Sequence, residues 1–353
     1  MGKTMRRLRG RSTTRRNTIM GGSPCDACGK NAKKPYDVDG NHLCSACYKK
    51  QQKDLSSRPD LAQIEKDIVL FKTAGVGRGS NDDLNKRREK VLLFLYNPPP
   101  EFQKDPYWVE MSTKWREMIR KMYDGPYDDV KIVLKAGRGF NHDMEIVFMK
   151  SKVPVHTVKA EFKHNAKSID NLPEYFSPAA NKPYFDVNYG DYFYDKYLDR
   201  VCNLSEEARR LKPTKPNYTK VLYQNVYTKD PLFTCLKNQE VDPVFYREKQ
   251  DLVRMSIKDY LNTYASTLKR NLLSKDMLDR QSGKIFILWD LNNFRIDSIR
   301  DEEMMIVSAE EIKNNNTLIA VSKAGTKHEM LLRWKNHLGV LYPAWQISLT
   351  RSK

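Results

Sequence analysis

The chain has 353 residues, 40% of them hydrophobic, and its 62 Lys/Arg against 44 Asp/Glu give a formal charge of +18. The length suits about two domains at roughly 150 residues each, and the composition excludes a collagen-like or disulfide-framework protein. The longest apolar run, Val91 to Tyr96, is far short of the about 20 residues of a membrane span, and arginines stand where a signal peptide has its apolar stretch.

In chain order, residues 1–22 read as a disordered basic arm carrying Arg6, Arg7, Arg9, Arg11, Arg15 and Arg16. Residues 1–60 hold 14 Lys/Arg against 5 Asp/Glu, half of the whole excess in about a sixth of the chain. Such an arm neutralises phosphates and releases their counterions, so a nucleic acid is the expected partner.

Residues 23–55 contain Cys25-x2-Cys28 and Cys44-x2-Cys47. Two CxxC knuckles supply the closed tetrahedron of a structural zinc site. Asp39-Gly40 reads as the hairpin turn between them, and Lys49 and Lys50 follow as nucleic-acid contacts. Cys202 and Cys235 lack ligand-spaced partners and read as buried thiols, in keeping with a reducing, intracellular setting. On Cys25, Cys28, Gly29, Asp39-Gly40, Leu43-Cys44 and Ala46-Cys47, this segment resembles a GATA-type zinc finger, with Tyr36 near the place of the usual Trp. That resemblance implies zinc ligation by the four cysteines. A protein-binding or purely structural knuckle is the alternative.

Residues 56–84 read as a linker with a short helical stretch and a Gly-rich turn at Gly75, Gly77 and Gly79. From 85 to 350 the pattern predicts one mixed α/β domain. Helices are expected over 85–96 and 107–123, the second with Met111, Trp115, Met118 and Met122 on one face. Strands follow at 130–134, 143–149 and 155–163, the last two forming a hairpin turned at 151–154. After Ser168 the chain is expected to turn helical, then Tyr-rich from Tyr184 to Tyr197 as core. A long helix is expected from Val253 to Leu272, a buried strand at 285–289, and a hairpin of 317–322 with 328–334 turned near Ala324-Gly325. Arg333 and Lys335 are candidate nucleic-acid contacts; Trp334 between them reads as buried.

The two central strands carry the candidate chemistry. Met144, Ile146 and Phe148 alternate with Asp143 and Glu145; Val158, Ala160 and Phe162 alternate with Lys159, Glu161 and Lys163. Pairing the strands gathers Asp143, Glu161 and Lys163 on one polar face. Two carboxylates suit Mg²⁺, which keeps several of its waters, and a lysine beside them can orient a water and stabilise phosphoryl charge. The bland alternative is a solvated strand face of Glu–Lys pairs. Strand phase puts His156 and His164 opposite the polar face as packing or surface residues, and leaves His142 a candidate phosphate contact.

This Asp-x17-Glu-x-Lys arrangement resembles the PD-(D/E)xK, or restriction-endonuclease-like, nucleases. The run Val158 to Lys163, followed by Ile169-Asp170-Asn171-Leu172-Pro173-Glu174-Tyr175-Phe176, with Leu331 to Asn336 and Pro343 to Ile347, is similar to nucleases encoded by large DNA viruses. Glu174 stands where that pattern has Gln, and His142 where it has Pro. The resemblance implies a restriction-endonuclease-like core over about 85–350 and Mg²⁺-dependent cleavage of DNA. Asp143 and Glu161 would bind the metal and Lys163 would assist the water. It also implies an acidic residue from the first core helix, for which Glu117 is the candidate over Glu110, and a viral protein in host cytoplasm, nucleus or virion. The alternative function is a non-catalytic zinc-finger DNA-binding protein with an inactive nuclease-like domain, acting in transcription or genome packaging.

Overall fold

The computed structural model describes the backbone of residues 23–24, 31–32, 36–38 and 41–43, and residues 60–352 apart from 75–77, 136–140, 171, 173–174, 224–229 and 337–340. The side chains of 78–82, 336 and 341 are also outside the description. Two compact units result, 1–63 and 64–353. The expected zinc ligands Cys25, Cys28, Cys44 and Cys47, the arginines of the arm, Lys49 and Lys50 all lie outside the described residues.

In the first unit β1 (Ser23–Pro24) pairs antiparallel with β2 (Asn31–Ala32), and β3 (Tyr36–Val38) with β4 (Asn41–Leu43). The β3–β4 pairing sets Val38 against Asn41, on either side of the expected Asp39-Gly40 turn.

The second unit begins earlier than the sequence suggests. Helix α1 (Leu61–Asp67) and a 3-10 turn (Ile68–Phe71) occupy much of the expected linker. Ile64, Ile68 and Phe71 are buried in one of the two cores of this unit. The Trp289 indole N–H donates to the Phe71 carbonyl at 2.6 Å. Helix α2 (Arg78–Leu95) is bound to this segment through Arg87 Nε to Asp67 at 3.0 Å and Arg88 Nε to the Leu70 carbonyl at 3.0 Å. Residues 64–71 are therefore part of the second folded unit rather than a linker, because Ile64, Ile68 and Phe71 complete its core.

Helix α3 (Pro106–Arg120) starts at an Asp105 cap, whose side chain accepts from the Tyr107 N–H at 2.7 Å. Its buried stripe of Trp108, Met111, Trp115 and Met118 packs with Val91, Leu92 and Leu95 of α2 on one face of a five-stranded sheet. The sheet order is β5 (Asp129–Leu134), β6 (Met144–Lys150), β7 (Val153–His164), β8 (Lys284–Trp289), β9 (Phe294–Ser298). All pairs are antiparallel except β7 with β8. The β6–β7 turn is two residues, Ser151 and Lys152, both at positive φ, tighter than expected and of the kind that matches strand twist.

Strand β8 explains its own uninterrupted apolar run. Ile287 and Trp289 enter the helical core on one face, while Phe286 and Leu288 enter a second core on the other. A strand covered on both faces needs no polar alternation. The second core contains the tyrosines 184, 189, 192 and 197, helix α4 (Pro243–Tyr264), helix α5 (Arg270–Gln281) and a four-stranded antiparallel sheet. That sheet runs in order β10 (Ile306–Lys313), β11 (Thr317–Ser322), β12 (Lys327–Asn336), β13 (Leu341–Thr350). The expected single helix from Val253 to Leu272 is interrupted over 265–269. The expected helix after Ser168 is instead irregular chain bridging β13, with Phe176 against Ile347 and Ala179 against Ala344. Cys202 and Cys235 are buried free thiols, as expected. Among the described residues no helix is long and apolar enough to cross a membrane.

Candidate active site

The β6–β7 hairpin builds the site. Met144 lies opposite Ala160 and Ile146 opposite Val158, and all four enter the helical core. The intervening residues are thereby driven to the other face. Asp143 immediately precedes β6 and is already held in the sheet: its N–H donates to the Ala160 carbonyl at 3.0 Å and its carbonyl accepts from the Lys135 N–H at 2.7 Å. Its carboxylate accepts the Phe162 N–H at 2.9 Å, the amide that follows Glu161 and precedes Lys163. The three expected residues are thus brought together, with Lys163 Nζ 2.6 Å from Glu161 Oε1.

Two further residues complete the cluster, and the sequence did not single out either. Lys284, at the start of β8, hydrogen-bonds Glu161 Oε2 and reaches the Asn141 carbonyl at 3.2 Å. Glu89, on α2, feels the charges of Asp143, Lys163 and Glu161. Burial pushes the Glu89 carboxyl up to about 8, and repulsion from Asp143 adds to this. Burial likewise raises Asp143, reinforced by Glu161. Burial would raise Glu161 too, but Lys163 and Lys284 outweigh it and hold that carboxyl below the usual range. Burial lowers Lys284 despite its Glu161 partner. Perturbed groups of opposite sign gathered in one place are a feature that functional sites share with structural ion-pair networks.

Glu117 does not join this cluster. It lines a separate cleft of about 520 Å³ between α3 and β9, with Lys114, Lys121, Asn293 and Arg295. Glu89, one helix earlier, is the helical acid that feels the charges of this cluster; Glu110 pairs with Lys114 at 2.6 Å. The reason is packing: α3 presents its apolar stripe to the sheet and leaves Glu117 facing the β9 edge.

His156 stacks on Tyr123 with ring centroids 4.6 Å apart. His164 packs against Phe71 and Phe162 and is lowered to about 4 by burial. His164 is half-buried and His156 is exposed, a packing and a surface residue, the two places their phase allowed. His142 is buried beside Glu145, 3.4 Å away, and Glu145 pairs with Lys135 at 3.0 Å. Arg333 and Lys335 lie on β12 of the other sheet; Arg333 donates to Gln346 at 2.8 Å. Trp334 between them is buried and donates to the Tyr189 hydroxyl at 3.2 Å. Glu174 lies outside the described residues.

Comparison with protein-family models, with curated proteins and with solved structures finds no match to this chain. What bears on function is therefore the chemistry of the site itself. Among the described residues no group of three or more His, Cys, Asp or Glu side chains is arranged to hold a metal ion. The Asp143 and Glu161 carboxylates feel each other's charge, and Glu89 feels both. A pair of carboxylates is the kind of donor set that Mg²⁺ uses, since it binds through one or two carboxylates and completes its shell with water and substrate oxygens. Burial and mutual repulsion of the acids is relieved by a cation placed among them.

Proposed function

We propose that this protein is a Mg²⁺-dependent DNA nuclease with a restriction-endonuclease-like core. In this reading the N-terminal arm and a Cys25/Cys28/Cys44/Cys47 zinc finger grip the substrate. The observation that carries it is the seat of the Asp143 carboxylate on the Phe162 N–H, between Glu161 and Lys163 on the neighbouring strand. The order of helix, three antiparallel strands, helices and a parallel fourth strand supports the same reading.

Asp143 and Glu161 would hold the cation, which supplies Lewis acidity and neutralises phosphate charge. Lys163, only partly buried, orients the attacking water and stabilises charge as the phosphate becomes pentavalent. Glu89 is largely neutral at pH 7 and so adds little third negative charge to repel the phosphodiester. The knuckle spacing supports zinc, and the β3–β4 pairing sets a hairpin between the two cysteine pairs.

One observation favours a second reading, a DNA-binding protein without cleavage: both oxygens of Glu161 are engaged by lysines. The two readings separate on incubating the protein with supercoiled plasmid and with RNA in Mg²⁺, beside Lys163→Ala and Asp143→Asn. The nuclease reading expects plasmid cleavage that falls at least ~100-fold in both variants while DNA binding persists. Binding with no cleavage by the wild type selects the second reading, and cleavage of RNA alone would replace DNA as the substrate.

A further inference from the structure

Lys284 is the most deeply buried charge at the site, with its side chain 2% exposed. Its ammonium is fully committed. It bonds Glu161 Oε2 and the Asn141 carbonyl, and it lies 4.8 Å from the centre of the Phe286 ring. Asn141 is two residues before Asp143, and its side-chain amide bonds the Arg280 carbonyl near the end of α5. One lysine thus links the segment leading into Asp143, on one side of β7, to Glu161 on β7 itself. It does so from β8, where it is in parallel register with Lys159.

Stability alone gives little reason for a lysine here. A buried ion pair is often no more stabilising than well-packed apolar residues of similar volume. Nor does charge alone favour it, since a fixed positive charge beside Glu161 opposes a second cation. What the contacts do supply is geometry. Asp143 is held by its ladder bonds and by the Phe162 N–H, whereas Glu161 has rotatable side-chain bonds that the backbone does not fix. Lys284 ties that carboxylate to Asn141, in the segment leading into Asp143.

We infer that Lys284 is a positioning residue for the cation site, fixing the Glu161 carboxylate and tethering the Asn141–Asp143 segment so that both carboxylates address one divalent ion. This rests on the metal-site reading above. Partners that orient metal ligands typically change affinity or activity by about 10–100-fold when removed.

The test uses the full-length, zinc-loaded protein. Mn²⁺ binding is followed by electron paramagnetic resonance without DNA, and the Mg²⁺ concentration for half-maximal plasmid cleavage is measured in parallel. Lys284→Met is expected to bind Mn²⁺ about 10–100-fold more weakly, with a matching rise in the Mg²⁺ requirement and an unchanged circular dichroism spectrum. Unchanged or tighter Mn²⁺ binding, the sign that charge removal alone predicts, overturns the inference. Should Lys284→Met not fold, Lys284→Gln carries the same expectation and the same refutation. Glu161→Gln separates the two levels. If it binds Mn²⁺ like the wild type, the metal-site reading falls and the inference with it. If it loses Mn²⁺ while Lys284→Met keeps it, only the inference falls.

Discussion

At the scale of single residues, Glu89 carries the clearest consequence. Its carboxyl is raised to about 8 by burial and by Asp143, against about 4.3 for a free Glu. Between these values the folded state holds a proton that the unfolded state has released. Stability of the metal-free protein therefore falls as pH rises from about 4.5 towards 8, and a tenfold difference in proton affinity between the two states is worth about 1.4 kcal/mol. Glu89→Gln removes this dependence. Thermal denaturation in a chelator should show the variant more stable than wild type at pH 8 and little different at pH 4; equal gains at both values would refute the assignment. The sequence places Glu89 in a helix, next to Arg88, which heads the buried row of Val91, Leu92 and Leu95. What it does not supply is the distance to Asp143, 54 positions later.

At the scale of elements, the β6–β7 hairpin was legible because alternation has a period of two and each apolar set must face a core. Asp143, Glu161 and Lys163 follow from that alternation and from the short turn. Lys284 does not. Its strand is the parallel partner of β7, reached only after the chain has built α4 and α5, and no local pattern reports parallel register. The expected helix from 253 to 272 has helical periodicity on both sides of the break at 265–269, so the pattern alone hid the interruption. The 64–71 segment reads as linker because an isolated short helix carries little local signal; its order comes from tertiary contacts. Phe71 tests this directly. It is fully buried against Phe162, Trp289 and Phe294. Phe71→Ala should cost about 3–5 kcal/mol, read as a lower urea midpoint. A loss under about 0.5 kcal/mol, the range of surface substitutions, would return 64–71 to the status of a linker.

At the scale of the whole molecule, the charge of +18 divides between a segment rich in arginine and a unit in which many of the acids and lysines pair with one another. A chain beginning at residue 60 is expected to fold cooperatively, since unit 64–353 contains both cores. It should keep the cleavage chemistry at saturating DNA while binding more weakly and with a shallower dependence of affinity on salt, because fewer counterions are released. An unchanged salt slope would show that the arm and knuckles make no phosphate contacts. The sequence by itself determined the basic excess and its concentration near the N-terminus, the cysteine spacing, and the face on which Asp143, Glu161 and Lys163 lie, since charge and short-period patterning are local properties. Only the tertiary structure decided that Glu89 rather than Glu117 feels the charges of the acids, that Lys284 clasps Glu161, and that Ile64, Ile68 and Phe71 belong to the core. Those depend on which helix covers the sheet and which strand runs parallel to β7, and packing between distant segments sets both.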